Sequence, residues 1–149
     1  MDYETVTPED FGASLRGFGI NLLARDVRHT ARFAAEVFGL QVHRLSADFA
    51  ILSQGAHVMQ IHADRTYSAN PLVDLLPENP PRGAGLELRL YDYDPDAAAI
   101  RADRAGGSVL QPPTNKPHGL REAIILCPDG YAWVPSRPLT DAERKDMTT

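Results

Sequence analysis

Residues 124–135 read Ile124-Ile125-Leu126-Cys127-Pro128-Asp129-Gly130-Tyr131-Ala132-Trp133-Val134-Pro135, which is two apolar runs around a Pro-Asp-Gly turn. Proline presets the backbone for the start of a turn, and glycine supplies a residue with positive φ. Apolar runs on both sides of such a turn are typical of a β-hairpin. The stretch therefore predicts the final hairpin of a sheet, with Trp133 in the core and Cys127 as a buried or turn thiol.

The first half of the chain predicts one strand, one helix and three further strands. Residues 18–24 alternate between apolar and polar faces, as a half-buried strand does. Asp26 then caps a helix, and Gly39 ends it at the position where a left-handed residue is common. We predict the three strands at residues 41–45, 48–53 and 57–62.

The second half repeats this pattern. Residues 86–91 alternate, Asp94-Pro95 begins a helix, and Gly106-Gly107 ends it. We predict the following strands at residues 108–111, 122–127 and 131–134, with a polar loop at 112–120. An order of β-α-β-β-β in both halves is an internal repeat. The pattern favours an α+β fold in which two βαβββ repeats form a curved mixed sheet around a central cup, with the helices outside.

The repeats divide the chain into five segments. Thr7-Pro8 begins a short helix in the lead-in, and the pair Thr140 and Glu143 forms a capping box at the start of a helix in the tail. The segment between the repeats is rich in proline and polar residues, as linkers are. The predicted segments are the lead-in 1–16, the first unit 17–62, the linker 63–83, the second unit 84–136 and the tail 137–149.

Composition excludes several classes of partner. The 149 residues carry a formal net charge of -5 without a Lys/Arg cluster, which argues against a nucleic-acid surface. No apolar run approaches the ~20 residues of a membrane span, and the acidic N-terminus lacks the apolar region of a signal peptide. Cys127 is the only cysteine, which fits a reducing compartment. We expect a cytoplasmic protein without nucleic-acid or membrane partners.

Several short sequences recur in the same order in a known group of proteins. They are Leu22-Leu23-Ala24-Arg25-Asp26-Val27 leading into Phe33 and Val37-Phe38-Gly39-Leu40, Tyr93-Asp94-Pro95-Asp96-Ala97-Ala98, Ala105-Gly106-Gly107 and Pro128-Asp129-Gly130-Tyr131. With them the chain resembles the vicinal oxygen chelate superfamily, which includes glyoxalase I, bleomycin-resistance proteins and extradiol dioxygenases. The resemblance spans residues 17–136 and implies the two-repeat cup, a small-molecule ligand and a homodimer.

The resemblance also implies four metal-ligand positions, which fall on Gly19, Gln60, Glu87 and Val134. Glycine and valine offer no donor, whereas a catalytic metal takes at least three protein ligands. We therefore expect no metal and no cofactor. A divalent metal remains the alternative, in an altered site made by Gln60, Glu87 and His62.

The candidate ligand-binding residues lie on the faces that the repeat turns toward the cup. Arg89 is suited to bind a carboxylate or phosphate bidentately, and Glu87 and His62 are the candidate catalytic groups. A solvated sheet edge and an ordinary polar loop are the alternatives for residues 87–91 and 112–120. The predicted ligand-binding residues are Asn21, Gln60, His62, Glu87, Arg89, Tyr91, His118 and Arg121.

Three functions follow from this set. The first is a bleomycin-resistance-like protein that binds a small polar or anionic molecule in the cup without the usual metal. The second is a metal-dependent lyase or dioxygenase with the altered site of Gln60, His62 and Glu87. The third is a metal-free acid–base enzyme that uses Glu87 or His62. The fold alone does not choose among them, because this kind of fold hosts many functions.

Overall fold

The computed structural model describes residues 1–148 and divides into two compact units. The first unit comprises Met1–Ala35 and Gly39–Leu76. The second comprises Glu36–Phe38 and the chain from Pro77 onward, so the division falls within the segment 63–83 expected as a linker. Among the described residues, no helix is both long enough and apolar enough to cross a membrane.

The first unit follows the predicted order of elements. Thr7 caps its first helix by accepting a hydrogen bond from the backbone N–H of Asp10, and Asp26 caps the second through His29. The second helix ends at Gly39, whose φ of 71° is the left-handed conformation that glycine adopts without strain. Its helices and strands are α1 (Pro8–Ser14), β1 (Asn21–Ala24), α2 (Val27–Phe38, with its last three residues in the second unit), β2 (Gln41–His43), β3 (Phe49–Gln54) and β4 (His57–Ala63), followed by 3-10 turns at Asp64–Tyr67 and Pro71–Leu75.

The sheet of the first unit has the strand order β1-β4-β3-β2. β1 runs parallel to β4, with Asn21 opposite Gln60, and the other neighbours are antiparallel. The tight turn between β3 and β4 places Phe49 opposite His62. Gln60 and His62 therefore lie on the same face as Phe49, while Ala50 and Ile61 lie on the opposite, fully buried face.

The second unit repeats this topology with the strand order β5-β8-β7-β6. β5 runs parallel to β8 with Arg89 opposite Val134, which corresponds to the pairing of Asn21 with Gln60 in the first repeat. Trp133 is fully buried and stacks on Phe38, with ring centroids 5.2 Å apart. The elements are β5 (Glu87–Tyr91), α3 (Pro95–Arg104), β6 (Ser108–Asn115), β7 (Leu120–Leu126), β8 (Ala132–Pro138) and α4 (Asp141–Thr148).

The predicted α+β fold with two βαβββ repeats is confirmed, and each repeat forms its own four-stranded mixed sheet. Several predicted element boundaries are wrong, and among them is the end of the last strand, which was expected at residue 134 and lies at Pro138. The strand expected from residue 18 begins at Asn21, and the side chain of Phe18 is fully exposed. The loop expected at 112–120 is shorter, because β6 continues through two prolines to Asn115. β6 is an edge strand with register shifts, and prolines are tolerated at such edges.

Candidate ligand site

The eight predicted site residues fall into two groups, one in each unit. The first group lies on β1 and β4, and the second lies on β5, on β7 and in the turn between β6 and β7. The first group is Asn21, Gln60 and His62, and the second is Glu87, Arg89, Tyr91, His118 and Arg121.

His62 is the centre of the first group. Its Nε2–H donates a hydrogen bond to Oε1 of Gln60 at 3.1 Å. Its ring lies between two aromatic rings, with centroid distances of 5.1 Å to Phe49 and 5.2 Å to Tyr67. The Tyr67 hydroxyl accepts a hydrogen bond from Nδ2 of Asn21 at 3.4 Å. The structure thus brings all three predicted residues of the first unit into one connected cluster.

Burial lowers the pKa of His62 below its ordinary value, because the charged imidazolium is disfavoured where it loses contact with water. The ring is therefore neutral near pH 7. A neutral imidazole that donates at Nε2 presents its other nitrogen, Nδ1, as an acceptor. His62 can consequently accept a hydrogen bond from a neutral molecule beside it.

A groove of about 710 Å³ lies over this cluster. Phe49, Gln60 and His62 are among the residues that line it on the sheet. Phe11 of helix α1 and the C-cap residue that follows this helix, Leu15, line another side. Phe11 meets the edge of Phe49 at a centroid distance of 6.5 Å. The lead-in helix therefore completes an aromatic groove on the polar face of the first sheet.

In the second unit, Arg89 is held by two carboxylates. It donates to Oε2 of Glu87 at 2.9 Å and to Oε2 of Glu122 at 2.5 Å, and it lies 5.7 Å from the centre of the Tyr91 ring. Burial would lower the pKa of Arg89, but the hydrogen bonds to Glu122 and Glu87 outweigh it and raise the pKa. Its positive charge is thus neutralised within the unit.

Glu122 is the buried member of this cluster, with 5% of its surface exposed. Burial would raise the pKa of Glu122, but the hydrogen bonds from Arg89 and His118 outweigh it, so the pKa lies below its ordinary value. His118 Nε2 lies 3.3 Å from Oε2 of Glu122. The cluster contains two carboxylates and one guanidinium, with His118 beside them.

Arg121 is engaged at all three guanidinium nitrogens. Nε and NH2 donate to the two carboxylate oxygens of Asp96 at 2.8 and 2.7 Å, and NH1 donates to Oδ1 of Asn115 at 2.9 Å. The hydrogen bond from Arg121 lowers the pKa of Asp96. This bidentate pair joins β7 to the first turn of α3.

The four positions that the family resemblance implies for a metal do not fit one. Gly19 has no side chain, and Val134 is apolar and fully buried. The amide oxygen of Gln60 is bound to His62, and the carboxylate of Glu87 is paired with Arg89. Throughout residues 1–148, no three or more His, Cys, Asp or Glu side chains form a group suited to a metal ion.

Four residues that the sequence reasoning did not select also shape the two clusters and the groove. Phe49 and Glu122 were readable from hairpin register: the Gln54-Gly55 turn places Phe49 opposite His62, and the Pro-Asp-Gly turn places Glu122 opposite Ser136, on the face of Arg89. The others carried no local signal, because they lie in the lead-in and in the expected linker. These two residues are Phe11 and Tyr67.

Two βαβββ units of identical strand order define a two-repeat α+β protein, and the first unit carries a ligand-sized groove. No protein-family model and no curated protein matches the sequence. Solved structures do match. A glyoxalase/bleomycin resistance protein/dioxygenase family enzyme from Burkholderia phytofirmans PsJN has a TM-score of 0.68 and 21% identity, over 81% of this chain and 97% of that one.

Two further structures have the same fold. A glyoxalase-related enzyme from Fulvimarina pelagi has a TM-score of 0.66 and 20% identity, over 85% of this chain and 93% of its own. TioX from Micromonospora sp. ML1 has a TM-score of 0.58 and 20% identity, over 84% of this chain and 100% of its own. These likenesses show that the chain has the fold of these proteins, which is the fold that the sequence resemblance implied.

Proposed function

We propose that this protein binds a small, uncharged organic molecule in the groove of the first unit and does not change it chemically. The observation that carries the proposal is the neutral His62, held by Gln60 between two aromatic rings beside a groove of about 710 Å³. Small-molecule sites are typically ~300–1,000 Å³, mostly apolar, with a few polar groups that orient the ligand.

The ligand is proposed to be uncharged because the predicted anion-binding arginines are already paired with carboxylates. The sequence predicted a polar or anionic ligand because Arg89 and Arg121 were available to bind an anion. Arg89 is paired with Glu87 and Glu122, and Arg121 with Asp96. An anion would have to displace a carboxylate from each of these guanidinium groups.

The groove itself is lined by one basic and one acidic residue, Arg44 and Glu4. Their formal charges cancel, so the groove favours an uncharged molecule beside the neutral histidine.

Two polar groups of the groove, the side chains of Gln60 and His62, are complementary to a primary amide. His62 Nδ1 is an acceptor, and the amide nitrogen of Gln60 is a donor because its oxygen already accepts from His62. Benzamide offers a donor, an acceptor and one aromatic ring, and is therefore the probe for this proposal. NMR titration of the ¹⁵N-labelled protein should shift the Gln60 side-chain amide and the ring of His62.

His62→Phe keeps a ring but removes both hydrogen-bonding nitrogens, so it should weaken benzamide binding about 5- to 10-fold, the value of one hydrogen bond. His29→Phe, at an exposed position on α2, is the matched control and should leave the affinity unchanged. An absence of binding, or equal affinity in His62→Phe and the wild type, would overturn the proposal.

A metal-free acid–base enzyme is the second candidate, because a neutral imidazole beside a groove can accept a proton from a bound molecule. Hydrolysis of 4-nitrophenyl acetate tests it. The rate should rise with pH around a midpoint below the ordinary histidine pKa, and it should be lost in His62→Phe. A rate that His62→Phe does not change would exclude this candidate.

A further inference from the structure

A second cavity of the first unit shares part of its lining with the groove. It has a volume of about 330 Å³, and both cavities are lined by Leu15 and Gln60. On one side of these residues lies the aromatic groove with Phe49 and His62. The smaller cavity is lined on its other side by Phe18 and Ile20. Gln60 therefore stands between two chambers of unequal size.

The smaller chamber has polar walls that include Arg16 and His57, and it also has two apolar side chains that are open to water. Phe18 is fully exposed and Ile20 is 41% exposed, although both line the cavity. Two apolar side chains at the wall of one cavity offer surface that a ligand could cover. A molecule that filled only the groove would leave this surface open.

Gln60 has one polar atom left to offer. Its Oε1 accepts from His62, and its Nε2 carries two N–H donors that are not used in that contact. A donor located where the chambers meet selects molecules that carry an acceptor at their middle. Phe49 at one end and Phe18 at the other select molecules with an apolar group at each end.

Resting on the proposed function, we propose that the ligand is an elongated molecule with two apolar ends and a hydrogen-bond acceptor between them, such as a diaryl amide. One end lies against Phe49 in the groove, the acceptor receives a hydrogen bond from Nε2 of Gln60, and the other end lies against Phe18. Residues 15–18 thereby set ligand length, because Leu15 belongs to both chambers and Phe18 to the smaller one.

Three probes separate the parts of this proposal. Benzanilide has two rings joined by an amide, bibenzyl has two rings joined without an acceptor, and benzamide has one ring with the acceptor. NMR titration of the ¹⁵N-labelled full chain measures each affinity. Benzanilide should bind at least ~10-fold more tightly than benzamide, because a second ring is buried, and several-fold more tightly than bibenzyl.

Two variants and a control locate the contacts. Phe18→Ala should weaken benzanilide about 3- to 10-fold and leave benzamide unchanged, and it removes a side chain that is fully exposed. Gln60→Leu should weaken both amides and spare bibenzyl. Ile100→Ala, at a 62% exposed apolar position on α3, is the matched control and should change none of the three affinities.

The outcomes distinguish this proposal from the function on which it rests. If benzamide binds through His62 but benzanilide binds no more tightly, the elongated ligand is excluded and the proposed function stands. Equal benzanilide affinity in Phe18→Ala and the wild type also excludes it. If neither amide binds, both proposals fail.

Discussion

Replacing Arg89 by methionine removes the guanidinium on which the buried carboxylate of Glu122 depends. Glu122 keeps 7% of its side-chain surface exposed and Arg89 keeps 23%. Breaking one partner of a buried ion pair costs ~3–5 kcal/mol, because the remaining charge is left without compensation. Arg89 is partly solvated and His118 stays beside Glu122, so we expect the lower end, about 3 kcal/mol at pH 7.

The loss should depend on pH. In the wild type the pKa of Glu122 lies below the value of ~4.3 that glutamate has in the unfolded chain. The ionised carboxylate therefore stabilises the protein fully above the unfolded pKa, and this stabilisation is lost as pH falls through the folded pKa. Without Arg89, burial should raise the pKa of Glu122 above its value in the unfolded chain. The carboxyl group is then protonated more readily in the folded variant than in the unfolded one. Acidification from pH 7 to pH 4 should therefore shrink the difference between the two proteins to under ~1 kcal/mol.

Trp133 provides the assay. It is the only tryptophan, lies fully buried in the second unit, and reports the unfolding of that unit in urea. Arg104→Met, at an exposed position on α3, is the matched control and should cost under ~0.5 kcal/mol. The reasoning is refuted if Arg89→Met lies within ~0.5 kcal/mol of this control at pH 7, or if its loss is the same at pH 4.

Three further predictions concern other parts of the chain. Gly130→Ala should lower the free energy of unfolding in urea by about 3 kcal/mol, because φ is +78° and the new Cβ would lie 2.5 Å from Cα of Pro81. Gly55→Ala is the control: its φ is also positive, but the new Cβ would meet no atom, so the loss should be only ~1 kcal/mol. Cys127 is 4% exposed, and burial raises the pKa of its thiol. A disulfide reagent at pH 8 should therefore modify it only as fast as the protein opens. Rapid labelling of the native protein would contradict its burial. An NMR titration should place the midpoint of His62 below ~6.5, the pKa of histidine in the unfolded chain. The free energy of unfolding should then fall as pH drops from the unfolded pKa through the folded pKa. A midpoint at or above the unfolded pKa would contradict the neutral ring.

Most of the fold was predictable because its signals are local. Asp26 and Asp94 cap helices through hydrogen bonds to residues two or three positions away, and the side chain of Thr140 accepts from the backbone N–H of Glu143. Strand alternation and turn residues act over similarly short distances. Two of the wrong boundaries lie where an edge strand or an exposed loop overrode the local pattern, at residues 112–115 and 18–20.

The candidate site was predictable only in part. Alternation correctly placed Gln60 with His62 on one face, and Glu87, Arg89 and Tyr91 on another. It did not reveal what those side chains contact. The aromatic partners of His62 come from β3 and from the 3-10 turn Asp64–Tyr67, and the groove also requires helix α1 from the lead-in.

The sequence by itself determined the repeat, the order of strands and helices in each unit and the residues on each sheet face, because period, caps and turns are properties of neighbouring residues. Only the tertiary structure decided which charged side chains are already paired within the protein and which groups are left to bind a ligand. Arg89 meets Glu122 across 33 positions and Arg121 meets Asp96 across 25, and neither pairing has a local signal. Those pairings leave both arginines neutralised and leave the neutral His62 in its aromatic groove as the group best placed to receive a ligand.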